Sequence, residues 1–268
     1  MLLDQLIGII ILGLIQGITE WFPISSSGHL RIAEKIMGLE PPLLFDVTLH
    51  VGTLIVVLSF FRSDVKHILS AIIHLDFKSA DGRLIFPLIF GLIPTAILGL
   101  ILKIIVESLT LLNNLPIAFA LLICGAILYS VKFSGEGCEE ISIKKALVIG
   151  SVQGIAVIPG LSRSGLTLAA ALVMGVKREE AFRFTFLLSI PTIIGAFCIT
   201  LLMDFSALSS TEVTYLEVAA GAMVAMVTGY LSLKTLWKIV KRQRLHFFAF
   251  YCWILGLSLI ISHFLRIP

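Results

Sequence analysis

Residues 13–38 read GLIQGITEWFPISSSGHLRIAEKIMG, and this stretch decides how the chain is organised. Within ten residues it places a carboxylate (Glu20), three serines (25–27) and a histidine (His29), in a segment that is otherwise largely apolar. An ionisable group at membrane depth loses roughly 3 kcal/mol of solvation or more, so such groups face a polar cavity and mark a substrate or ion site. We therefore expect a functional site here.

The same stretch recurs later in the chain. Displacing the sequence by 137 positions aligns residues 13–38 with residues 150–175 and gives ten identities in 26 positions. Both copies contain a Gly-x-x-Gln-Gly motif followed by a Ser-x-Ser-Gly motif. This repeat predicts two homologous halves.

Composition places the chain among multi-spanning membrane proteins. Apolar residues make up 58% of the sequence and charged residues only 14%. A spanning helix needs roughly 20 apolar residues, so this length allows about six to eight spans. The net charge of +3 is small and lies in loops, which argues against nucleic-acid binding.

Two broken apolar segments and six continuous ones follow one another along the chain. The first broken segment, 6–38, is interrupted by Pro23 and the Ser25–Gly28 run, which leaves two arms too short to span; the second is 146–176. We expect each to be a re-entrant helix-loop-helix hairpin, since non-helical backbone at membrane depth is tolerated where protein or water satisfies it. The predicted spans are Leu43–Phe61, Leu84–Val106, Leu115–Val131, Ala181–Met203, Tyr215–Leu233 and His246–Phe264.

The predicted fold is therefore an all-α integral membrane protein with two inverted-topology repeats, each a re-entrant hairpin plus three transmembrane helices. The whole chain, 1–268, forms one membrane domain, with a first repeat at 1–131 and a second at 146–268. Three spans and one in-and-out hairpin per half make the halves inverted, so the two hairpins enter from opposite faces and meet near the midplane, as in inverted-repeat transporters.

Loop charges give the orientation. The loop Arg62–Arg83 carries four basic residues, whereas its counterpart Asp204–Thr214 has none. The connector Lys132–Lys145 and the run Lys234–Arg244 are also basic and are assigned to the cytoplasm. We expect a multi-pass protein of the cell membrane, with both termini outside.

The second broken segment carries the motif PGLSRSGLT, residues 159–167. A glycine permits close backbone approach, hydroxyls supply donors, and a helix that begins near Ser164 points free amide groups at an anion. Arg163 adds a planar, permanently charged fork that suits phosphate oxygens. Together these predict an oxyanion cradle. The alternatives left open are that Ser162 or Ser164 only caps a helix and that Arg163 reaches an interface.

The first hairpin supplies the reactive groups. Gln16 and Glu20 are four residues apart and so share one helix face. Glu20 can orient an imidazole, bind a divalent cation or act as a general base. His29 can attack phosphorus, activate Ser26 or Ser27, or protonate a leaving oxygen; the alternative is a polar residue at a helix start. Asp46 and His50, also four apart, are left open between a supporting role and an interfacial one.

These motifs resemble a known family. QGITEWFPISSSGHL (16–30), PGLSRSGLT (159–167) and FDVTLHVGT (45–53) are similar to the signature motifs of the undecaprenyl-diphosphatase family, the bacitracin-resistance type of integral membrane phosphatase. The resemblance covers essentially the whole chain. It implies hydrolysis of a polyprenyl diphosphate to the monophosphate plus phosphate, which recycles the lipid carrier of cell-envelope glycan synthesis.

The resemblance also assigns roles by motif position. It implies catalytic places for Glu20, Ser26, His29 and Arg163, and a divalent cation, Mg2+ or Ca2+, with Glu20 and Gln16 as metal ligands. The family often has a glutamate where this chain has Gln16, which weakens that metal role. Residues expected to bind the substrate are Ser25, Ser27, Gln153, Gly160, Ser162, Ser164 and Thr167.

Two other functions compete with the phosphatase. A transporter or flippase of a phosphorylated lipid or small anion fits inverted repeats and a midplane anion site equally well. Glu20 and His29 opposite Arg163 favour the enzyme, because transport needs no nucleophile. A small-ion channel has less support, since the sequence has no filter-like repeat. Small-residue runs at 169–171 and 221–225 suit close helix packing and leave open a homodimer.

Overall fold

The structure is a computed structural model that describes residues 2–39, 43–110, 115–203 and 215–265. Within these ranges it is all-α, apart from 3-10 turns and one isolated bridge between Glu139 and Val176. The α-helices of the described ranges are α1 (Leu2–Trp21), α2 (Ser26–Met37), α3 (Leu43–Phe60), α4 (Arg62–Ile73), α5 (Ile85–Thr110), α6 (Leu115–Ser130), α7 (Ile143–Ile155), α8 (Arg163–Val173), α9 (Arg178–Met203), α10 (Tyr215–Lys241) and α11 (Phe248–Leu265).

Both broken segments fold as helix-loop-helix hairpins, α1 with α2 and α7 with α8. Two details differ from expectation. Helix α1 has 20 residues, so this arm is longer than predicted. The Ser26–Gly28 run, expected in the loop, forms the first turn of α2, because Ser25 caps the helix one residue earlier.

A helix lies at each of the six predicted spans, namely α3, α5, α6, α9, α10 and α11. By length and composition, five helices of the described ranges qualify as membrane spans. A sixth is counted if α3 and α4 form one bent span. The predicted outer loop 204–214 lies outside the described residues.

The expectation of a plain loop at 62–83 is wrong, because this segment contains α4. Helix α4 leaves α3 at an angle of 78°. The charges of this segment resemble loop signals in the sequence, but two of its three acidic groups, Asp64 and Asp81, form ion pairs with Arg183 of α9. Ala71 of α4 is also buried.

Glycines bring the first arm of each hairpin against a span of the other half. A Cβ added to Gly13 of α1 would lie 2.6 Å from the Gly221 carbonyl oxygen of α10. A Cβ added to Gly150 of α7 would collide with the Gly91 carbonyl oxygen of α5. Gly13 and Gly150 are equivalent positions of the 137-residue repeat, so the same type of close helix crossing occurs twice. Each hairpin is held by the half to which it does not belong.

The small-residue runs pack inside the chain. Gly221 faces α1, and Ala225 is fully buried. Ala169 and Ala171 are also fully buried. A homodimer would therefore have to use other surfaces.

An aromatic cluster fixes the end of α1. The Trp21 ring lies 5.5 Å from Phe186 of α9, and Phe186 lies 4.4 Å from Phe182 between ring centroids. Trp21 is only 1% exposed. Since Glu20 precedes Trp21 directly, this packing sets the direction in which the carboxylate leaves the helix.

Candidate active site

The tip of the first hairpin turns at Ser25. This residue has a φ of 73°, in the left-handed region that non-glycine residues seldom adopt. Its Oγ accepts the amide N–H of Gly28 at 3.3 Å and so caps α2. Backbone strain of this kind costs about 1–3 kcal/mol and persists only where the surroundings hold it. The hydrogen bonds of Ser25 are part of those surroundings.

The tip of the second hairpin turns at Gly160, whose φ is 98°. A Cβ at this position would lie 2.5 Å from the Ile117 carbonyl oxygen, so only glycine fits. Ser162 then caps α8, because its Oγ accepts the Gly165 amide N–H at 3.2 Å. The capping role left open for Ser162 is therefore what the structure contains.

The two tips contact each other directly. The amide N–H of Gly160 donates to Ser25 Oγ at 3.0 Å, across 135 residues of sequence. Beside this bond, a Cβ on Gly165 would lie 2.8 Å from Pro23 Cβ. The N-terminal ends of α2 and α8 are thus brought together, and each offers backbone amide groups and the positive end of a helix dipole.

Glu20 lies at the centre of this junction and is only 5% exposed. Its Oε1 is ion-paired with Arg163 Nη2. Its Oε2 accepts the Ser26 hydroxyl at 2.6 Å and the Gln16 Nε2 amide at 3.1 Å. Ser26 and Arg163 are equivalent positions of the 137-residue repeat. Equivalent residues of the two halves therefore contact the same carboxylate, that of Glu20.

His50 of α3 joins this cluster, although the sequence left its role open. Its Nδ1 lies 2.9 Å from Gln16 Nε2 and 3.4 Å from Glu20 Oε2. The Gln16 amide nitrogen can only donate, and it has one hydrogen for each of its two neighbours, Glu20 Oε2 and His50 Nδ1. The side chain of Asp46 lies outside the described residues.

His29 is held apart from the carboxylate. Its Nδ1 lies 2.7 Å from the Ser25 carbonyl oxygen, and its Nε2 lies 2.7 Å from the Tyr251 hydroxyl. Among the described side chains, the imidazole in contact with Glu20 is that of His50. The hypothesis that Glu20 orients His29 therefore has no hydrogen bond behind it in this state. Tyr251, 222 residues away, was not predicted.

The remaining predicted residues lie around the junction. Ser164 Oγ is 3.2 Å from Ser162 Oγ, and the Thr167 hydroxyl donates to the Arg163 carbonyl oxygen at 2.8 Å. Ser27 is partly exposed on the first turn of α2. Gln153 donates to Thr192 at 2.9 Å, and its buried Oε1 has no hydrogen-bond partner in the described structure. Thr167 and Gln153 thus support the helices rather than reach the carboxylate.

The charges of the junction balance each other. One guanidinium faces one carboxylate, and two helix N-termini add partial positive charge. An entering phosphate would compete with Glu20 for Arg163, and its oxygens would find amide donors at both tips. This arrangement suits an anionic group that exchanges with an internal carboxylate.

The expected cation finds few protein ligands here. Among the described residues, no three His, Cys, Asp or Glu side chains converge on one point. Near Glu20, the buried Gln16 Oε1 lacks a hydrogen-bond partner and is free to coordinate. Mg2+ is commonly held by one or two protein oxygens together with substrate phosphates and water. The donor set is thus too small for a cation held by protein alone and fits one shared with a diphosphate.

Comparison with known proteins gives the family. The family model described as bacitracin resistance protein BacA matches residues 9–258. The chain belongs to the BacA family. This match begins three residues into the first hairpin, covers the second hairpin and the first five predicted spans, and ends inside the sixth, so the BacA family resemblance suggested by the short motifs extends over nearly the whole sequence.

Curated relatives agree with the BacA assignment. A protein of Methanobrevibacter smithii named undecaprenyl-diphosphatase is 39% identical, over 94% of this chain and 96% of the relative. Proteins of the same name from Korarchaeum cryptofilum and Desulforapulum autotrophicum are 38% and 41% identical, over 94% and 95% of this chain and 97% of each relative.

Proposed function

We propose that this chain is a membrane-embedded undecaprenyl-diphosphatase, which hydrolyses the lipid diphosphate to the monophosphate and phosphate. The observation that carries this proposal is the junction of the two hairpin tips, where Arg163 and two helix N-termini surround Glu20 and Ser26. The curated relatives named for this activity support it. They do not favour the transport alternative.

We assign binding of the substrate's diphosphate to the cationic side of the junction. Arg163 can turn its guanidinium from Glu20 to the phosphoryl oxygens, and the amide groups at the start of α2 and α8 can receive further oxygens. Donors that are already in place stabilise the charge that spreads over the phosphoryl oxygens in the transition state. The isoprenoid tail needs only the apolar helix faces around the site.

Ser26 is the nucleophile that this geometry supports best. Its hydroxyl already donates to Glu20 Oε2 at 2.6 Å, so the carboxylate can take the proton as Ser26 Oγ bonds to the terminal phosphorus. The bond from that phosphorus to the bridging oxygen breaks, and undecaprenyl monophosphate leaves. Water then hydrolyses the phosphoserine and releases phosphate. His29, one turn along α2, is placed to exchange a proton with the phosphoryl group or with this water.

The two halves are proposed to be inverted repeats with boundaries near 1–131 and 146–268, and their hairpins to be re-entrant. Support comes from the paired crossings of Gly13 on Gly221 and Gly150 on Gly91. Three spans per half give opposite orientations. A site open to the outer face is proposed from the family resemblance, and loop charge supports the proposal that both termini lie outside.

A divalent cation, Mg2+ or Ca2+, is proposed to enter with the diphosphate. Glu20 and Gln16 would be its protein ligands, and when bound it would neutralise phosphoryl charge. A homodimer stays a prediction, and cross-linking of the protein in native membranes would test it.

The decisive experiment measures phosphate release from undecaprenyl diphosphate by the purified protein, alongside Glu20→Ala, Ser26→Ala and His29→Ala. Loss of release in all three variants supports the assignment. Radiolabelled phosphate retained on the protein after rapid quenching, and absent from Ser26→Ala, identifies the nucleophile. Folded wild-type protein without any release contradicts the proposal and directs the next test to vesicle translocation of a phosphorylated lipid.

A further inference from the structure

Helix α11 presents one face to the tip of the first hairpin. Phe248, Tyr251 and Cys252 lie three and four residues apart and so share a side of the helix. The Phe248 ring is 5.3 Å from the Phe22 ring, and Cys252 Sγ is 3.7 Å from the Pro23 carbonyl oxygen. These two contacts anchor α11 at the tip. The third residue of this face, Tyr251, consequently lies beside the start of α2.

Tyr251 and Ser25 together engage both nitrogens of His29. The Tyr251 hydroxyl is 2.7 Å from Nε2, and the two rings stack with centroids 5.6 Å apart and an interplanar angle of 14°. On the other side, Nδ1 is 2.7 Å from the Ser25 carbonyl oxygen. A carbonyl can only accept, so Nδ1 carries a proton. In the neutral ring, Nε2 therefore accepts the hydroxyl hydrogen of Tyr251.

We propose that Tyr251 is a positioning residue for His29: its hydroxyl fixes the imidazole plane and fills the lone pair of Nε2. Nε2 therefore takes up a proton through this hydroxyl, which passes its own hydrogen to Nε2 as it accepts one from the water or phosphoryl group beside it. The inference rests on the proposed function, in which His29 exchanges a proton beside the phosphoryl group. A phenol both donates and accepts hydrogen bonds, so Tyr251 can donate to neutral Nε2 and accept from Nε2–H after proton uptake. His29 thus keeps a partner in both protonation states.

Packing alone does not explain a tyrosine at this position. Tyr251 is 44% exposed on a helix that qualifies as a membrane span, so lipid contact alone would favour a wholly apolar ring at this position. The neighbouring Phe250 and Ile254 are exposed apolar residues of the same helix. A phenylalanine at 251 would keep the stacking and suit this apolar surface equally well. The hydroxyl on His29 Nε2 is what distinguishes tyrosine there.

The test is Tyr251→Phe, which removes the hydroxyl and keeps the ring. Tyr230→Phe is the matched control, because Tyr230 is similarly exposed on α10 and packs against Phe60. Steady-state rates with undecaprenyl diphosphate are combined with 15N spectra of histidine-labelled protein, in which the His29 signals are assigned by their loss in His29→Asn. Substitution of a residue that orients a functional group typically costs 10- to 100-fold in activity, so we expect kcat to fall about tenfold.

We further expect KM within about twofold of wild type, since no direct contact with the phosphates is lost, and a changed Nε2 signal of His29. The control variant Tyr230→Phe should change neither kcat nor the Nε2 signal of His29. Wild-type kcat with an unchanged His29 spectrum in Tyr251→Phe overturns the inference.

Failure of the proposed function is a separate outcome. If His29→Ala keeps full activity, the role given to His29 falls, and the role of Tyr251 falls with it. If His29→Ala is inactive and Tyr251→Phe is indistinguishable from wild type, only the inference about Tyr251 fails. In a double variant that combines His29→Ala with Tyr251→Phe, we expect the same activity as in His29→Ala alone, because Tyr251 acts through His29.

Discussion

Arg163 of the second hairpin forms a buried ion pair with Glu20 of the first, across 143 residues of sequence. In the proposed function, the substrate phosphate binds the same guanidinium that the internal carboxylate contacts here. A pair of this kind balances the charge of the guanidinium before substrate binds. We therefore expect substrate binding to exchange one anion for another at Arg163.

Glu20→Gln should separate binding from catalysis. The amide keeps the shape of the carboxylate but removes its charge, so Arg163 is left free to hold phosphate. We expect inorganic phosphate to inhibit at a lower concentration than in wild type. Without a base for the Ser26 hydroxyl, kcat should fall by about 100-fold or more. Steady-state kinetics with phosphate inhibition measure both effects.

Glu179→Gln, at an exposed ion pair with Lys241, is the control for Glu20→Gln and should change neither quantity. Loss of a buried partner can cost about 3–5 kcal/mol, so thermal unfolding is measured on each variant. Weaker phosphate inhibition in folded Glu20→Gln would contradict the anion-exchange interpretation.

Arg163→Lys should lose activity while keeping the charge. An ammonium group lacks the planar fork that can hold a carboxylate or a phosphate through two parallel hydrogen bonds. We expect kcat/KM to fall by about 100-fold, a loss typical of removing one stabilising donor from a transition state. Arg183→Lys is the matched control, because Arg183 likewise forms ion pairs between helices, in its case with Asp64 and Asp81. It should lower stability with little effect on kcat/KM. Full hydrolysis by Arg163→Lys would refute the oxyanion cradle.

Gly160→Ala should disrupt the junction of the tips. Its φ of 98° and the Ile117 carbonyl oxygen 2.5 Å from an added Cβ leave no room for a side chain. We expect a loss of about 1–3 kcal/mol of stability, measured as a lower thermal midpoint in detergent. Gly195→Ala, inside α9 with nothing within 4 Å of its added Cβ, should instead raise the midpoint slightly. Equal midpoints for the two variants would count against the tight turn at Gly160.

Gln16→Glu should strengthen cation binding. The Gln16 amide nitrogen now lies 3.1 Å from Glu20 Oε2, so the change places a second carboxylate directly beside Glu20. Two carboxylates repel each other unless a cation lies between them, so affinity for a divalent ion should rise by about tenfold or more. Electron paramagnetic resonance of added Mn2+ measures this without substrate. Gln153→Glu, the equivalent position of the second half, has no neighbouring carboxylate in the described structure and should gain less. Equal Mn2+ affinity in both variants would argue against a cation at Glu20.

Cys138 offers a test of orientation. It is exposed in the connector between α6 and α7, which we assign to the cytoplasm. In a Cys198→Ser background the remaining cysteines, Cys124 and Cys252, are buried. A membrane-impermeant maleimide should therefore label the protein only after the cells are permeabilised. Labelling of intact cells would reverse the assigned topology.

The sequence by itself determined the elements and their order. Apolar runs, Pro23 and the Ser-x-Ser-Gly motifs located the spans and both hairpins, because helix formation and capping depend on residues within a few positions of one another. Helix α4 was missed for the same reason, since its charges are loop signals until Asp64 finds Arg183 on another helix.

Only the tertiary structure decided which side chains meet. The sequence predicted Gln16 on the face of Glu20 and Arg163 opposite it, but it did not predict the contacts of Glu20 with Ser26 and His50 or that of His29 with Tyr251. The rotation of each helix is set by its crossings, such as Gly13 on Gly221, and by aromatic packing around Trp21. Those contacts join residues that are far apart in the chain. No local pattern in the sequence encodes these contacts. The motifs therefore identified the reactive groups, and the packing of the two halves determined which side chains they contact.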